Sequence, residues 1–74
     1  MIQVGKKYRH FKSTGGNDHT YKVIALAKCS ETLQPMVVYQ ALYGDKDTWV
    51  RPATMWDDLK NGIPRFSLIQ DKVK

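Results

Sequence analysis

Apolar residues along this chain recur at alternate positions in short bursts, and the longest burst lies between Pro35 and Pro52. Val37, Val38, Tyr39, Leu42 and Tyr43 suit a pleated, partly buried surface. Gly44-Asp45-Lys46-Asp47 then supplies turn chemistry before Thr48-Trp49-Val50 resumes the pattern. The spacing predicts a central hairpin. Gln40 is the one strongly polar residue between Met36 and Tyr43, so it marks an outward face shared with Met36, Val38 and Leu42. Val37, Tyr39, Ala41 and Tyr43 then point to the core, and a slip of one residue exchanges the two sets.

The flanking segments read the same way. Lys7 to Phe11 alternates as a short strand, with Tyr8 and His10 on one face and Lys7, Arg9 and Phe11 on the other. Ser13 to Asp18 is rich in glycine, Asn and Asp, the composition of a mobile loop tip. Thr20 to Lys28 is apolar on both faces at its centre, which predicts a strand with the core on one side and a cover on the other. Helix is the rival for Val23 to Ala27, and β-branched Val23 and Ile24 beside Tyr21 favour strand. Cys29 to Pro35 is a polar connection closing a second hairpin.

Beyond Arg51 the texture changes. Pro52 suits the first helical position and Asn61-Gly62 a stop, which predicts one to two helical turns with Met55 and Leu59 on one face and Trp56 at its edge. Pro64 to Ile69 returns as a last strand, and residues 70–74 form a frayed tail. The expected class is mainly β: a small SH3-like, partly open antiparallel β-barrel of four to five strands with one short helix.

Length and charge narrow the functions. The 74 residues give room for a single domain over 1–74 with no deep cleft, which disfavours an elaborate active site. One cysteine, Cys29, allows no internal disulfide, and the longest apolar run is too short to cross a bilayer. A cytoplasmic protein with no membrane partner is therefore expected, its oligomeric state open. Net charge is +5, and Lys6, Lys7, Arg9, Lys12 and Lys22 gather before residue 23 against Asp18 alone. Interleaved with Tyr8, Phe11 and Tyr21, these cations make nucleic acid an admissible partner, although a plain solvated surface has the same composition.

Several segments together carry a family resemblance: Tyr8-Arg9-His10-Phe11-Lys12, Tyr21-Lys22-Val23, Ser30-Glu31-Thr32, Val37 to Gly44, Trp49-Val50-Arg51-Pro52 and Pro64-Arg65-Phe66. In these the chain resembles the bacterial family of domains of unknown function numbered 1653. The resemblance spans nearly the whole chain and implies a small SH3-type β-barrel, and it implies no biochemical activity. Two departures stand out: a longer connection after Thr14, and Cys29 where a histidine often precedes Ser-Glu-Thr.

Candidate chemistry is sparse. His10, His19 and Cys29 lack the paired spacing of a zinc site, so no metal or other cofactor is expected. Ser30 and Cys29 have no base nearby in the chain to activate them, and Glu31 alone is weak evidence for a general base. Arg51, at a strand end before a proline, offers a fork to a carboxylate or phosphate, and Glu31 is the internal acid that would otherwise take it. Tyr39 and Trp56 are expected to be buried, leaving Tyr8, Tyr43 and Trp49 with reachable edges. The residues thus favour a non-catalytic binding module for a protein segment or small anionic ligand, through Tyr8, His10, Glu31, Tyr43, Trp49 and Arg51. The alternatives are nucleic-acid binding through the basic first hairpin and, at low weight, an enzyme of unknown reaction.

Overall fold

The computed structural model describes residues 2–13, 15, 18–60 and 62–69. The expected tail at 70–74, Asn61 of the helix stop and half of the glycine-rich loop tip (Thr14, Gly16 and Asn17) lie outside them. Among the described residues seven strands follow in order: β1 (Lys7–His10), β2 (Thr20–Lys28), β3 (Pro35–Ala41), β4 (Thr48–Pro52), β5 (Leu59–Lys60), β6 (Ile63–Pro64) and β7 (Phe66–Leu68). Five of them form one antiparallel sheet in the order β4-β3-β2-β1-β7, while β5 and β6 pair as a separate small ribbon. The large sheet does not close, so β4 and β7 are its two edges. The mainly β, partly open architecture is the one expected.

The alternation in β3 fixes which side is inside. Val37, Tyr39 and Ala41 are buried, and Met36, Val38 and Gln40 on the opposite face are half-buried. Cross-strand partners share a face, so Tyr8 opposite Tyr21, Val23 opposite Tyr39, Trp49 opposite Tyr39 and Arg51 opposite Val37 all belong to the inner side. The reversal between β3 and β4 uses left-handed backbone at Gly44 and Lys46 (φ 59° and 56°), and the Gln40 amide donates to the Lys46 carbonyl. This turn sets the register that puts Arg51 on the inner face.

The core is a ring cluster. Trp56 stacks flat on Phe66 with centroids 3.8 Å apart, and the rings of Tyr8 and Tyr39 meet it edge-on at 5.3 and 5.0 Å. Val23 and Val37 fill the space beside them with no exposed surface. In a chain this short, four large rings supply burial that aliphatic residues alone do not.

Two expectations are corrected. The short helix after Pro52 is a single 3-10 turn over Ala53–Met55, with Pro52 as its cap; Met55 and Leu59, the expected packing face, are exposed, and Trp56 is buried as expected. Burial of Trp56 against Phe66 ends the turn. The Asp57 N–H still reaches the Ala53 carbonyl at 3.2 Å; just beyond it the Asp58 carbonyl accepts from the Arg65 N–H and β5 starts pairing with β6, so the backbone turns from helical to cross-strand bonds. The second correction concerns β2, whose central run is not covered on both faces. The register shifts between Val23 and Ala25; Ile24, at this bulge, is exposed, and so is Leu26, opposite Val37 on the inner side. Only Val23 of the central run is fully buried because the strand continues past the end of the ring cluster.

Candidate functional site

A cluster of rings around one guanidinium, called the basin below, lies on the inner face where residues of β1, β2 and β4 meet Phe66 of β7. Tyr39 comes from β3, and its hydroxyl accepts a hydrogen bond from Arg51 Nε at 3.0 Å. Arg51 Nη1 donates to the Met55 carbonyl at 3.2 Å, so the short 3-10 turn helps to hold the side chain. The guanidinium carbon lies 5.5 Å from the Tyr39 ring centre and 5.1 Å from that of Phe66. Both distances are within cation–π range. Among the described residues no carboxylate pairs with Arg51. Its charge is oriented, with no counter-charge paired to it among the described residues.

The remaining walls come from β1 and β2. His10 meets Phe66 edge-on at 5.0 Å, and His19, held by Asp18 at 3.1 Å, lies 6.0 Å from the His10 ring. The hydroxyls of Tyr21 and Tyr43 share a hydrogen bond of 2.8 Å, and Tyr21 packs edge-on against both Tyr39 and Phe66. Burial and then the Arg51 charge push His10 down to about 4, with His19, Arg65 and Lys12 adding to the effect. His10 is therefore neutral at pH 7, with a ring nitrogen able to accept: Nδ1 takes the Lys12 backbone N–H at 3.1 Å. Burial and the bond to Tyr43 raise Tyr21, so this phenol stays protonated. The cluster thus combines a guanidinium charge, phenol hydroxyls and flat apolar ring surfaces.

The expected residues are divided by the fold. His10, Tyr43 and Arg51 come together in the basin, and Trp49 stands beside it, half-exposed, two residues before Arg51 on the same face. Tyr8 is only 5% exposed and its hydroxyl accepts the Gln3 N–H, so the expected reachable edge is absent. The reason is its place in the middle strand pairs, between Leu68 and Tyr21. Glu31 sits in the exposed β2–β3 turn, beyond the Lys28–Pro35 pair, and makes no pair with Arg51. The fork is held internally by a phenol and a carbonyl.

Sequence reasoning missed Tyr21, Phe66 and His19 as basin residues. The alternation of Tyr21 with Val23 was a readable signal for the first. The other two depend on the pairing of β7 with β1 and on the turn before β2, which local patterns do not encode. A second depression of about 410 Å³ lies behind Trp56, bordered by Gln3, Tyr8, Asp57 and Leu68. The Trp56 indole N–H is buried without a hydrogen-bond partner among the described residues, and the rings of Tyr8 and Tyr39 meet the indole edge-on.

The basic residues are placed apart from the rings. Lys7 and Lys22 face each other across β1 and β2 on the outer side, whereas Tyr8 and Tyr21 point inward. Only Phe11, 37% exposed, accompanies the cations. No helix among the described residues is long and apolar enough to cross a membrane, and none of their His, Cys, Asp and Glu side chains group in threes as metal ligands.

Residues 6–68 match the family described as "Protein of unknown function (DUF1653)". The chain belongs to this family. The match runs from just before β1 to the end of β7, so it takes in the whole sheet and every basin residue. No match was found among curated proteins or among solved structures.

Proposed function

We propose that this member of the family is a non-catalytic binding module whose basin takes an anionic group, either a small carboxylate ligand or an acidic side chain of a protein segment. The observation that carries this reading is Arg51: two hydrogen bonds and two ring faces fix its guanidinium, and no acid among the described residues pairs with it. An ordered cation over aromatic rings gains more from an incoming carboxylate than a mobile surface lysine does, because less side-chain entropy remains to be lost. His10 adds an uncharged face that leaves the Arg51 field undivided.

Titration with benzoate, followed through the Arg51 Nε–H resonance, tests the reading. Saturable shifts at Arg51 and Tyr43 with benzoate, and none with uncharged benzamide, are expected. Equal responses to both compounds would remove it.

A second reading, nucleic-acid binding, is favoured by the Lys7–Lys22 pair, since like charges directly opposite each other are unfavourable until an anion approaches. Arg9 follows Lys7 by two residues on the same strand face, and Lys6 and Lys12 flank β1 in the chain. With Tyr8 and Tyr21 turned inward, such binding is electrostatic and loses affinity steeply with salt. A mixed-sequence oligonucleotide that fails to bind at low salt excludes it.

A further inference from the structure

The sheet edge next to Arg51 carries a more specific inference. Antiparallel pairs alternate between those that exchange hydrogen bonds and those that do not. The Ala41 N–H bonds to the Asp47 carbonyl at 2.9 Å, which makes that pair a bonded one. Counting along the ladder, Tyr39–Trp49 and Val37–Arg51 are then bonded, whereas Gln40–Thr48, Val38–Val50 and Met36–Pro52 are not. The N–H and C=O groups of Thr48 and Val50 consequently point away from β3, along the open edge. Pro52 falls in the same outward set, where its missing N–H leaves no ladder bond unmade.

This edge has little of the protection that edges usually show. Trp49 is 52% exposed on the inner side and Val50 57% exposed on the outer side, so both faces of β4 end in apolar surface. Pro52 at one end is the only blocking residue in the strand. The other edge is less suited: β7 has three residues and follows directly on the bend where Arg65 is tied to Asp58. Arg51 and Trp49 share the inner face of β4, two residues apart, with the oriented guanidinium beside the open backbone.

We propose that β4 accepts an extended acidic segment of a partner protein as a sixth, antiparallel strand, which sets a carboxylate against Arg51. This rests on the reading of Arg51 as an anion receptor and names the carrier of the anion. The partner strand bonds to the outward groups of Thr48 and Val50, lays one apolar side chain beside Val50 and another beside Trp49, and presents Glu or Asp opposite Arg51. A second copy of this chain fits less well, because two molecules of net charge +5 would meet with neither Arg51 neutralised.

The test uses the blocked peptide Thr-Glu-Val-Leu-Thr, whose antiparallel register sets Glu against Arg51, Val against Val50 and Leu against Trp49. Amide exchange of the whole chain is followed by nuclear magnetic resonance. Slowed exchange at Thr48 and Val50 on adding peptide is the expected result, with loss of the effect when the peptide valine is N-methylated. Changing the peptide Glu to Gln should weaken binding about tenfold in the native protein and not at all in Arg51→Gln.

Binding without protection at Thr48 and Val50, protection at Phe66 and Leu68 instead, or no binding overturns the added strand. In those cases a positive benzoate titration leaves the anion receptor standing. Protection at Thr48 and Val50 with equal affinity for the Glu and Gln peptides does the reverse, keeping the edge and removing Arg51 as receptor. Protection that rises with protein concentration in the absence of peptide replaces the partner by a second copy.

Discussion

Two arginines in this domain have opposite fates. Arg65, at the bend before β7, places both arms of its fork on Asp58 at 2.7 Å, and that bond holds its proton still more firmly. Arg51, on β4, is held by a phenol and a carbonyl, with its charge left over. The first corner is closed: charge, hydrogen bonds and geometry are satisfied within the chain. The second is fixed in position but open in charge. What separates a structural arginine from a receptor is the chemistry of its acceptors, because hydroxyl and carbonyl groups orient a guanidinium without neutralising it.

Substitutions can break this contrast. The largest effect falls on both corners at once, since Trp56 supports the Phe66 ring that faces Arg51. Trp56→Ala should cost about 3–5 kcal/mol, most of the stability that a domain of this length commands. Chemical denaturation checks this, and Trp56→Phe should retain a cooperative transition at lower denaturant. Next comes Asp58→Asn, which removes the counter-charge of Arg65. It should lower the thermal midpoint measurably while leaving benzoate binding at Arg51 intact.

Arg51→Gln is expected to do the opposite. Loss of its hydrogen bonds and ring contacts should cost only about 1–2 kcal/mol, yet benzoate binding should disappear. A large loss of stability with binding retained would make Arg51 a second structural corner.

A subtler effect is set by pH. His10 titrates near 4 when folded and at 6.5 in its ordinary state, so the unfolded chain binds the additional proton between those values. Stability is therefore fully present above about pH 6.5 and falls as pH drops toward 4. The difference in thermal midpoint between the native protein and His10→Gln should follow that window, with Arg51, His19, Arg65 and Lys12 as the facing cations. The smallest effect belongs to Glu31→Gln, expected within about 0.5 kcal/mol because the residue is an exposed turn position.

The strands were legible where a local period carried them. Val37, Tyr39 and Ala41 alternate with Met36, Val38 and Gln40, and a period of two admits few other solutions. The stretch after Pro52 misled because proline, alanine and a later Asn-Gly satisfy local helix rules, whereas the burial of Trp56 and the Asp58–Arg65 clamp are long-range events. The same holds for Tyr8, which local composition leaves at a surface and the Leu68 and Tyr21 pairs bury. Of the basin, His10, Tyr43 and Arg51 were readable as polar or aromatic residues near strand ends. Tyr21 and Phe66 became partners only through pairing.

By itself the sequence determined the strand periods, the central reversal, the two alternating sets of β3 and the location of Arg51 at the end of a strand. These follow from side-chain alternation and turn chemistry, which act over a few residues. Tertiary structure alone decided which acids meet which arginines, which rings become floor and which become wall, and which strand is left at an edge. Those outcomes depend on contacts between residues far apart in the chain, where β7 joins β1 and Trp56 meets Phe66, and no local pattern specifies them.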